Sequence, residues 1–244
     1  MTDLPLTGQT VLITGGARRV GRLLSLAAAR AGANIILHHN ASNQAAADTA
    51  QEISDLGRIV TILQADFHHP DQAEALIEKA WAVTPFSVLV NNAAIFEPLT
   101  WDTTTLMNWQ AHLDINLTAP FFLSQAFARR LPGDQTGRII NLLDWRALRP
   151  VADHFPYTIS KAGLVALTKS LAVALAPRIT VNGLALGAVL PPADGEVSDA
   201  FLKPVPAKRW ALQEELEQTF LFMLTSPAYI TGEIIHLDGG RHLI

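Results

Sequence analysis

Short runs rich in β-branched and aliphatic residues alternate along the whole chain with longer Ala- and Leu-rich stretches. TVLIT (10–14), NIILHH (34–39), IVTILQA (59–65), SVLVNN (87–92), GRIINLL (137–143), ITVNGL (179–184) and EIIHLD (233–238) predict seven strands. Helices are predicted between them near 19–31, 43–56, 70–83, 103–131, 155–177 and 209–225. Strand-helix alternation implies a parallel sheet, and nearly continuous apolar strands imply one covered on both faces. The expected fold is therefore α/β and doubly wound, with ligands at the carboxyl ends of the strands. The one composition shift is the Pro-rich LPPADGEVSDAFLKPVPAKR (190–209). Residues 188–208 read either as a lid over a ligand crevice or as an insertion without structure of its own.

At 244 residues the chain suits one domain spanning 1–244, since no repeat or linker interrupts it. A net charge of −4, with no run of basic residues, gives no footprint for nucleic acid. The apolar runs are far shorter than the roughly 20 residues of a membrane span, and MTDLPLTGQT lacks the pattern of a secretion signal. A cytoplasmic protein without membrane contact is expected. Zero cysteines exclude disulfides, thiolate metal sites and thiol nucleophiles. A metal held by His38 with His39, or His68 with His69, is disfavoured because strand neighbours point to opposite faces, and no metal is assigned.

After the first predicted strand, TGGARRVG places Gly15 and Gly16 in a turn and Gly21 at the start of a helix. Glycine lets the backbone approach a pyrophosphate, with helix amides facing it; the plainer reading is a tight strand-to-helix turn. At the end of the second strand, LHHNAS offers His38, His39, Asn40 and Ser42 but no carboxylate to accept from a ribose 2′-hydroxyl. Arg18 and Arg19 supply guanidinium forks suited to a 2′-phosphate, unless they merely solvate the loop. This combination favours NADPH over NADH.

The glycine loop, NNAA at 91–94, Asn116, Tyr157-x-x-x-Lys161 and YITGEIIHLDGG near the C-terminus occur in the order of a short-chain dehydrogenase/reductase, a family that the chain resembles over nearly its whole length. The resemblance implies a Rossmann-type sheet, a nicotinamide cofactor and a homotetramer. Three positions depart from the family pattern: Arg19 replaces the middle glycine, Asp144 replaces the catalytic serine, and Leu186-Gly187 replaces Pro-Gly. The first two resemble pteridine reductases, including dihydromonapterin reductases; the third carries no such message. In that subgroup an aromatic residue after NNA stacks on the pterin, a role that falls to Phe96, although such a ring is also ordinary core material. Trp145 is left unassigned.

A serine hydroxyl suits a substrate carbonyl, donating to the oxygen while Tyr157 gives the proton. A pterin instead presents a C=N bond and an aminopyrimidine edge, so a carboxylate accepts from its N–H groups or, protonated, donates. Lys161, one helical turn from Tyr157, is expected to lower the tyrosine pKa. The resemblance also gives Lys161 and Tyr157 contacts to the nicotinamide ribose, Asn116 a relay water on its backbone carbonyl, Asp66 contact with adenine, and Asn92 and Gly187 places beside the cofactor. The implied activity is NADPH-dependent reduction of a dihydropterin, of the dihydromonapterin or dihydrobiopterin type, with dihydrofolate a further candidate. Asp194, Glu196 and Asp199 make a glutamate-tailed folate less favoured. The alternatives are an NADPH-dependent carbonyl reductase and, in another class, a non-catalytic NADPH-binding sensor.

Overall fold

All seven expected strands form: β1 (Thr10–Ile13), β2 (Asn34–His39), β3 (Val60–Gln64), β4 (Val88–Asn91), β5 (Gly137–Asp144), β6 (Ile179–Leu186) and β7 (Ile234–Leu237). In the computed structural model, which describes residues 4–191 and 199–244, they make one sheet of order β3-β2-β1-β4-β5-β6-β7, parallel throughout. The helices are α1 (Arg19–Arg30), α2 (Asn43–Asp55), α3 (Asp71–Val83), α4 (Leu106–Leu113), α5 (Ala119–Arg130), α6 (Phe155–Leu175), α7 (Asp199–Leu202) and α8 (Gln213–Thr225).

Strand side chains alternate between two cores because successive Cβ atoms point to opposite faces. Val11, Ile13, Ile35, Leu37, Val88 and Val90 pack with Leu24 of α1 and Phe220 of α8. Leu12, Ile36 and Leu89 pack on the other side with Leu76 of α3 and Phe127 of α5. Phe127 and Phe220 are fully buried, and truncating such a ring to alanine typically costs roughly 3–5 kcal/mol. The strand order reverses between β1 and β4, which opens a crevice at their carboxyl ends.

The helix expected over 103–131 is divided. Thr100, Asp102 and Thr103 bond among themselves, so α4 starts only after Thr105, whose hydroxyl accepts from the Asn108 amide at 3.2 Å. A π-helical turn, Asp114–Thr118, then separates α4 from α5. Such widened turns give no signal in hydrophobic spacing. The helix expected from 209 begins at Gln213, because Arg209 is drawn to Glu215, whose carboxylate also accepts from the Leu212 amide.

The helix expected over 155–177 forms as α6, and its 21 residues, with a mean hydropathy of 1.3 over an 18-residue window, meet the length and composition of a membrane span. Here it lies against the sheet instead, with Leu164, Leu171 and Ala172 in the core and Lys161 buried. Of the expected lid, residues 192–198 lie outside the described residues, and α7 occupies 199–202.

Candidate active site

The glycine loop is braced from three sides. Thr14 Oγ1 donates to the Val90 carbonyl at 3.2 Å and accepts from the amides of Asn92 and Ala93 at 2.9 and 3.0 Å. The Asn92 side chain donates back to the carbonyls of Thr14 (2.8 Å) and Gly15 (3.1 Å). Gly15 holds φ +62° and its amide donates to His38 Nδ1 at 3.1 Å. A Cβ on Gly15 would lie 3.0 Å from Ala93 Cα, and one on Gly21 only 2.0 Å from the Gly15 carbonyl oxygen. Only glycine allows this approach of loop to helix.

His38 is the support that the sequence reading left unassigned. Because Nδ1 accepts from Gly15, the ring proton sits on Nε2 and is donated to the Ala65 carbonyl at 3.1 Å. The ring stacks on Phe67 at 4.4 Å. Burial, followed by the neighbouring His39, pulls its pKa down to about 4 despite the bond to Ala65. The unfolded chain therefore binds a proton that the folded chain refuses between pH 6.5 and about 4. This contribution to stability is full above pH 6.5 and is lost as pH falls through that window. A His38→Gln variant, followed by urea unfolding across it, should lack about 3 kcal/mol of the wild-type decline.

The other nucleotide-end residues are distributed as follows. Arg18 and Arg19 are exposed at the loop. Arg19 adopts φ +49°, a left-handed conformation suited to the family's glycine. Its guanidinium reaches across to the Pro191 carbonyl at 2.7 Å rather than standing free at the loop. Asn40 donates to Asp66 Oδ1 at 3.1 Å, and the same oxygen accepts from the His68 amide. His39 is buried, and among the described residues its Nδ1 has no partner. Gly187 packs so closely on the chain just after β7 that a Cβ would lie 2.6 Å from Asp238 Cα. Leu186, where the family has proline, simply ends β6 in register with Asp144 and Leu237. The glycine cradle, the exposed arginines and the unpartnered His39 nitrogen fit a phosphate-rich dinucleotide. Among the described residues no cluster of three or more metal-ligating side chains occurs.

At the ends of β4 and β5 the expected catalytic residues meet. Tyr157 Oη donates to Asp144 Oδ2 at 3.2 Å, while Asp144 Oδ1 accepts from the Arg146 amide at 2.8 Å. Burial raises the Asp144 pKa, against the opposing effects of Arg146, Lys161 and Tyr157. Burial, then the charge and hydrogen bond of Asp144, raises Tyr157 well above its ordinary value. The expectation that Lys161 would lower Tyr157 is thus corrected. The Lys161 ammonium donates to the Leu142 carbonyl at 2.6 Å and lies 5.8 Å from the tyrosine ring centroid, whereas the carboxylate touches the hydroxyl directly. Burial lowers Lys161 itself to about 8.

Asn116 lies in the π-helical turn, fully buried. Its Oδ1 accepts from the Ile95 amide at 2.9 Å, and its Nδ2 donates to the Ile95 carbonyl at 3.1 Å and to Ser160 Oγ at 3.0 Å. Ser160 in turn donates to the Tyr157 carbonyl at 2.7 Å. Asn116 therefore ties the segment carrying Phe96 to the helix carrying Tyr157. Phe96 is 51 % exposed, which removes the reading as core. His154, at φ +51°, stacks on it at 3.9 Å with planes 9° apart, and the ring meets Tyr157 edge-on at 4.7 Å.

His154 and Arg146 also escaped the sequence reading. Arg146 is buried beside the catalytic pair, with its guanidinium 3.7 Å from Asp144 and donating to Asp153 at 3.1 and 3.2 Å. It lies 5.5 Å from the Phe96 centroid and 4.7 Å from that of Trp145, which is buried. Its position two residues after the acid was the available signal.

Residues 9–200 match the short chain dehydrogenase family. A 3-oxoacyl-[acyl-carrier-protein] reductase from Synechocystis sp. is 32 % identical over 240 residues, 96 % of this chain and 97 % of the relative. Among solved structures, FolM alternative dihydrofolate reductase 1 from Brucella canis, complexed with NADP, superposes with a TM-score of 0.89 at 33 % identity, covering 98 % of this chain and 96 % of its own. A blue fluorescent protein from a metagenomic library, in complex with NADPH, has a TM-score of 0.89 at 32 % identity and covers 97 % of this chain and 99 % of its own. Fold, glycine cradle and Tyr-Lys pair agree with the match along the chain: the protein belongs to the short-chain dehydrogenase/reductase family of oxidoreductases.

Proposed function

We propose that the protein reduces the C=N bond of a dihydropterin to the tetrahydro form with NADPH. The observation that carries this reading is the Tyr157–Asp144 contact of 3.2 Å, an acid standing where a carbonyl-reducing site of the family places a hydroxyl. Gly15, Gly21, Arg18, Arg19, His39, Asn40, Asp66, Asn92 and Gly187 line the end of the sheet where the dinucleotide would lie. Bound NADPH supplies the hydride. The protein's own part is the proton, the ring and the orientation. Tyr157, kept neutral by burial and by Asp144, holds a transferable proton, and the raised Asp144 either donates or accepts at the heterocycle edge. Lys161 contributes a buried cation beneath them. The exposed surface of Phe96, backed by His154, offers a stacking platform for a flat ring.

The likeness to FolM at 33 % identity supports this reading. The likeness to 3-oxoacyl reductases supports a carbonyl reductase as the second one. A non-catalytic binding module has no use for a buried tyrosine–acid pair. Assembly as a homotetramer belongs to the same proposal: Val173 on α6 is 83 % exposed, an apolar side chain that a partner subunit would cover.

NADPH oxidation with purified protein, offered dihydromonapterin, dihydrobiopterin, dihydrofolate and a panel of ketones, tests the assignment. Turnover of the dihydropterins is expected. Turnover confined to ketones or 3-oxoacyl thioesters would replace it with the carbonyl-reductase reading.

A further inference from the structure

The two oxygens of Asp144 are treated differently by their surroundings. Oδ1 accepts from the Arg146 amide at 2.8 Å and lies 3.7 Å from the guanidinium of the same residue, while Oδ2 faces the Tyr157 hydroxyl at 3.2 Å. That guanidinium is buried, and Asp153 fixes it by accepting from Nε at 3.2 Å and from Nη2 at 3.1 Å. A two-bond fork of this kind holds the cation in one orientation. Arg146 thus stands between two carboxylates, one against the tyrosine and one, Asp153, half-exposed at the surface.

We infer that Arg146, braced by Asp153, is the positioning residue of the proton step: it occupies Oδ1 of Asp144 and leaves Oδ2, against Tyr157, as the oxygen that carries the proton. The inference deepens the dihydropterin reading and rests on it. A proton on Oδ2 is donated to Tyr157 Oη, which frees the tyrosine's own proton for the substrate nitrogen. As the Oη–H bond breaks and the N–H bond forms, the Oδ2 proton passes to Oη, and the hydride from NADPH completes the reduction. The carboxylate left behind has the Arg146 cation beside it. Charge also decides the pH at which Oδ2 is loaded. Burial raises Asp144, and the Arg146 amide and then its guanidinium are the strongest effects against burial, ahead of Lys161 and Tyr157 on α6. The remaining charged and titratable groups nearby are Asp153 and His154, just before α6, and Arg241, 4.4 Å from the Trp145 ring on which Arg146 also lies. Loss of the Arg146 charge therefore raises Asp144 further, whereas loss of the Asp153 charge leaves Arg146 unshared and lowers it. A scaffold role common to both residues would not move the acid in opposite directions.

The test compares wild type with Arg146→Met, which keeps much of the volume, and Asp153→Asn, which keeps the shape. With dihydrobiopterin, the limb on which kcat falls as pH rises should move up in Arg146→Met and down in Asp153→Asn. At about one pH unit above the wild-type midpoint, kcat relative to its own low-pH plateau should be about threefold or more higher than wild type in the first and about twofold or more lower in the second. The limb should persist in His154→Asn, where asparagine suits the left-handed backbone at φ +51°. Its disappearance would assign the limb to His154 and overturn the inference. Carbon NMR of aspartate labelled at Cγ, with the Asp144 resonance identified by its absence from Asp144→Asn, reads the same displacements without substrate. Opposite displacements of that resonance in a protein that reduces no pterin would uphold the role of Arg146 and sink the dihydropterin reading. Pterin turnover with limb and resonance unmoved, or moved the same way in both variants, overturns the inference. If Arg146→Met does not fold, Asp153→Asn decides alone: a downward displacement upholds the role and none overturns it.

Discussion

An Asp144→Ser variant is expected to lose about 10²-fold or more in kcat/KM for a dihydropterin, the span ordinarily attributed to a positioned acid or base, while its Kd for NADPH stays within about twofold. The acid touches Tyr157 and the Arg146 amide, not the glycine loop, so its removal acts on proton delivery rather than on the nucleotide. Serine restores the family's ketone-directed arrangement, and ketone turnover should rise as pterin turnover falls. A second readout follows from electrostatics. With the carboxylate gone, the one neighbour that raises Tyr157 beyond the effect of burial disappears, and its pKa should move down. The chain has only two tyrosines, and Tyr229 is fully exposed, so difference absorbance on a Tyr229→Phe background reports Tyr157 alone. The pH dependence has a definite sign. If the protonated carboxyl is the donor, the rate falls as pH rises through the raised Asp144 pKa, and Asp144→Asn lacks that limb. Equal losses in turnover and in NADPH binding would sink the role given to Asp144.

The strands were readable because a parallel sheet buried on both faces demands apolar runs of a few residues, and TVLIT or GRIINLL admits little else. The residues at the ends of those runs were readable for the same reason: order along the chain brings Asp144, Tyr157 and Lys161 to one end of β5. What escaped depends on neighbours remote in sequence. The His38 ring is seated between Gly15 and Ala65, 23 residues before it and 27 after it. Arg241 reaches Trp145 from the far end of the chain. The direction of the Tyr157 shift was misread because helical spacing places Lys161 on the same face without saying where its ammonium points. A carbonyl of β5 claims it. Spacing reports proximity along one element, whereas a pKa is decided by whichever charge and whichever dry surface lie nearest.

The glycine loop provides the other large effect. Gly21→Ala should destabilise the fold by about 3 kcal/mol or more and weaken NADPH binding at least 100-fold. The new Cβ would stand 2.0 Å from the Gly15 oxygen and 2.6 Å from Asn92 Nδ2, both far inside contact distance. Neither can yield cheaply: Gly15 is held by His38, and Asn92 is bonded to the Thr14 and Gly15 carbonyls. Relief requires moving the turn that would face the pyrophosphate, so strain in the fold and loss of the ligand arrive together. Two other glycines calibrate the claim. At Gly163 the added methyl would meet only the side-chain tip of Leu117, at 2.8 Å, which can rotate away. At Gly57 nothing lies within 4 Å, and only φ +74° opposes substitution, a strain of about 1 kcal/mol. Urea unfolding and fluorescence titration with NADPH should therefore separate the three: Gly57→Ala and Gly163→Ala bind as wild type with modest loss of stability, while Gly21→Ala fails in both. If Gly21→Ala bound NADPH within a few-fold of wild type, the loop would have room that this geometry denies, and the cradle would not be the nucleotide's seat.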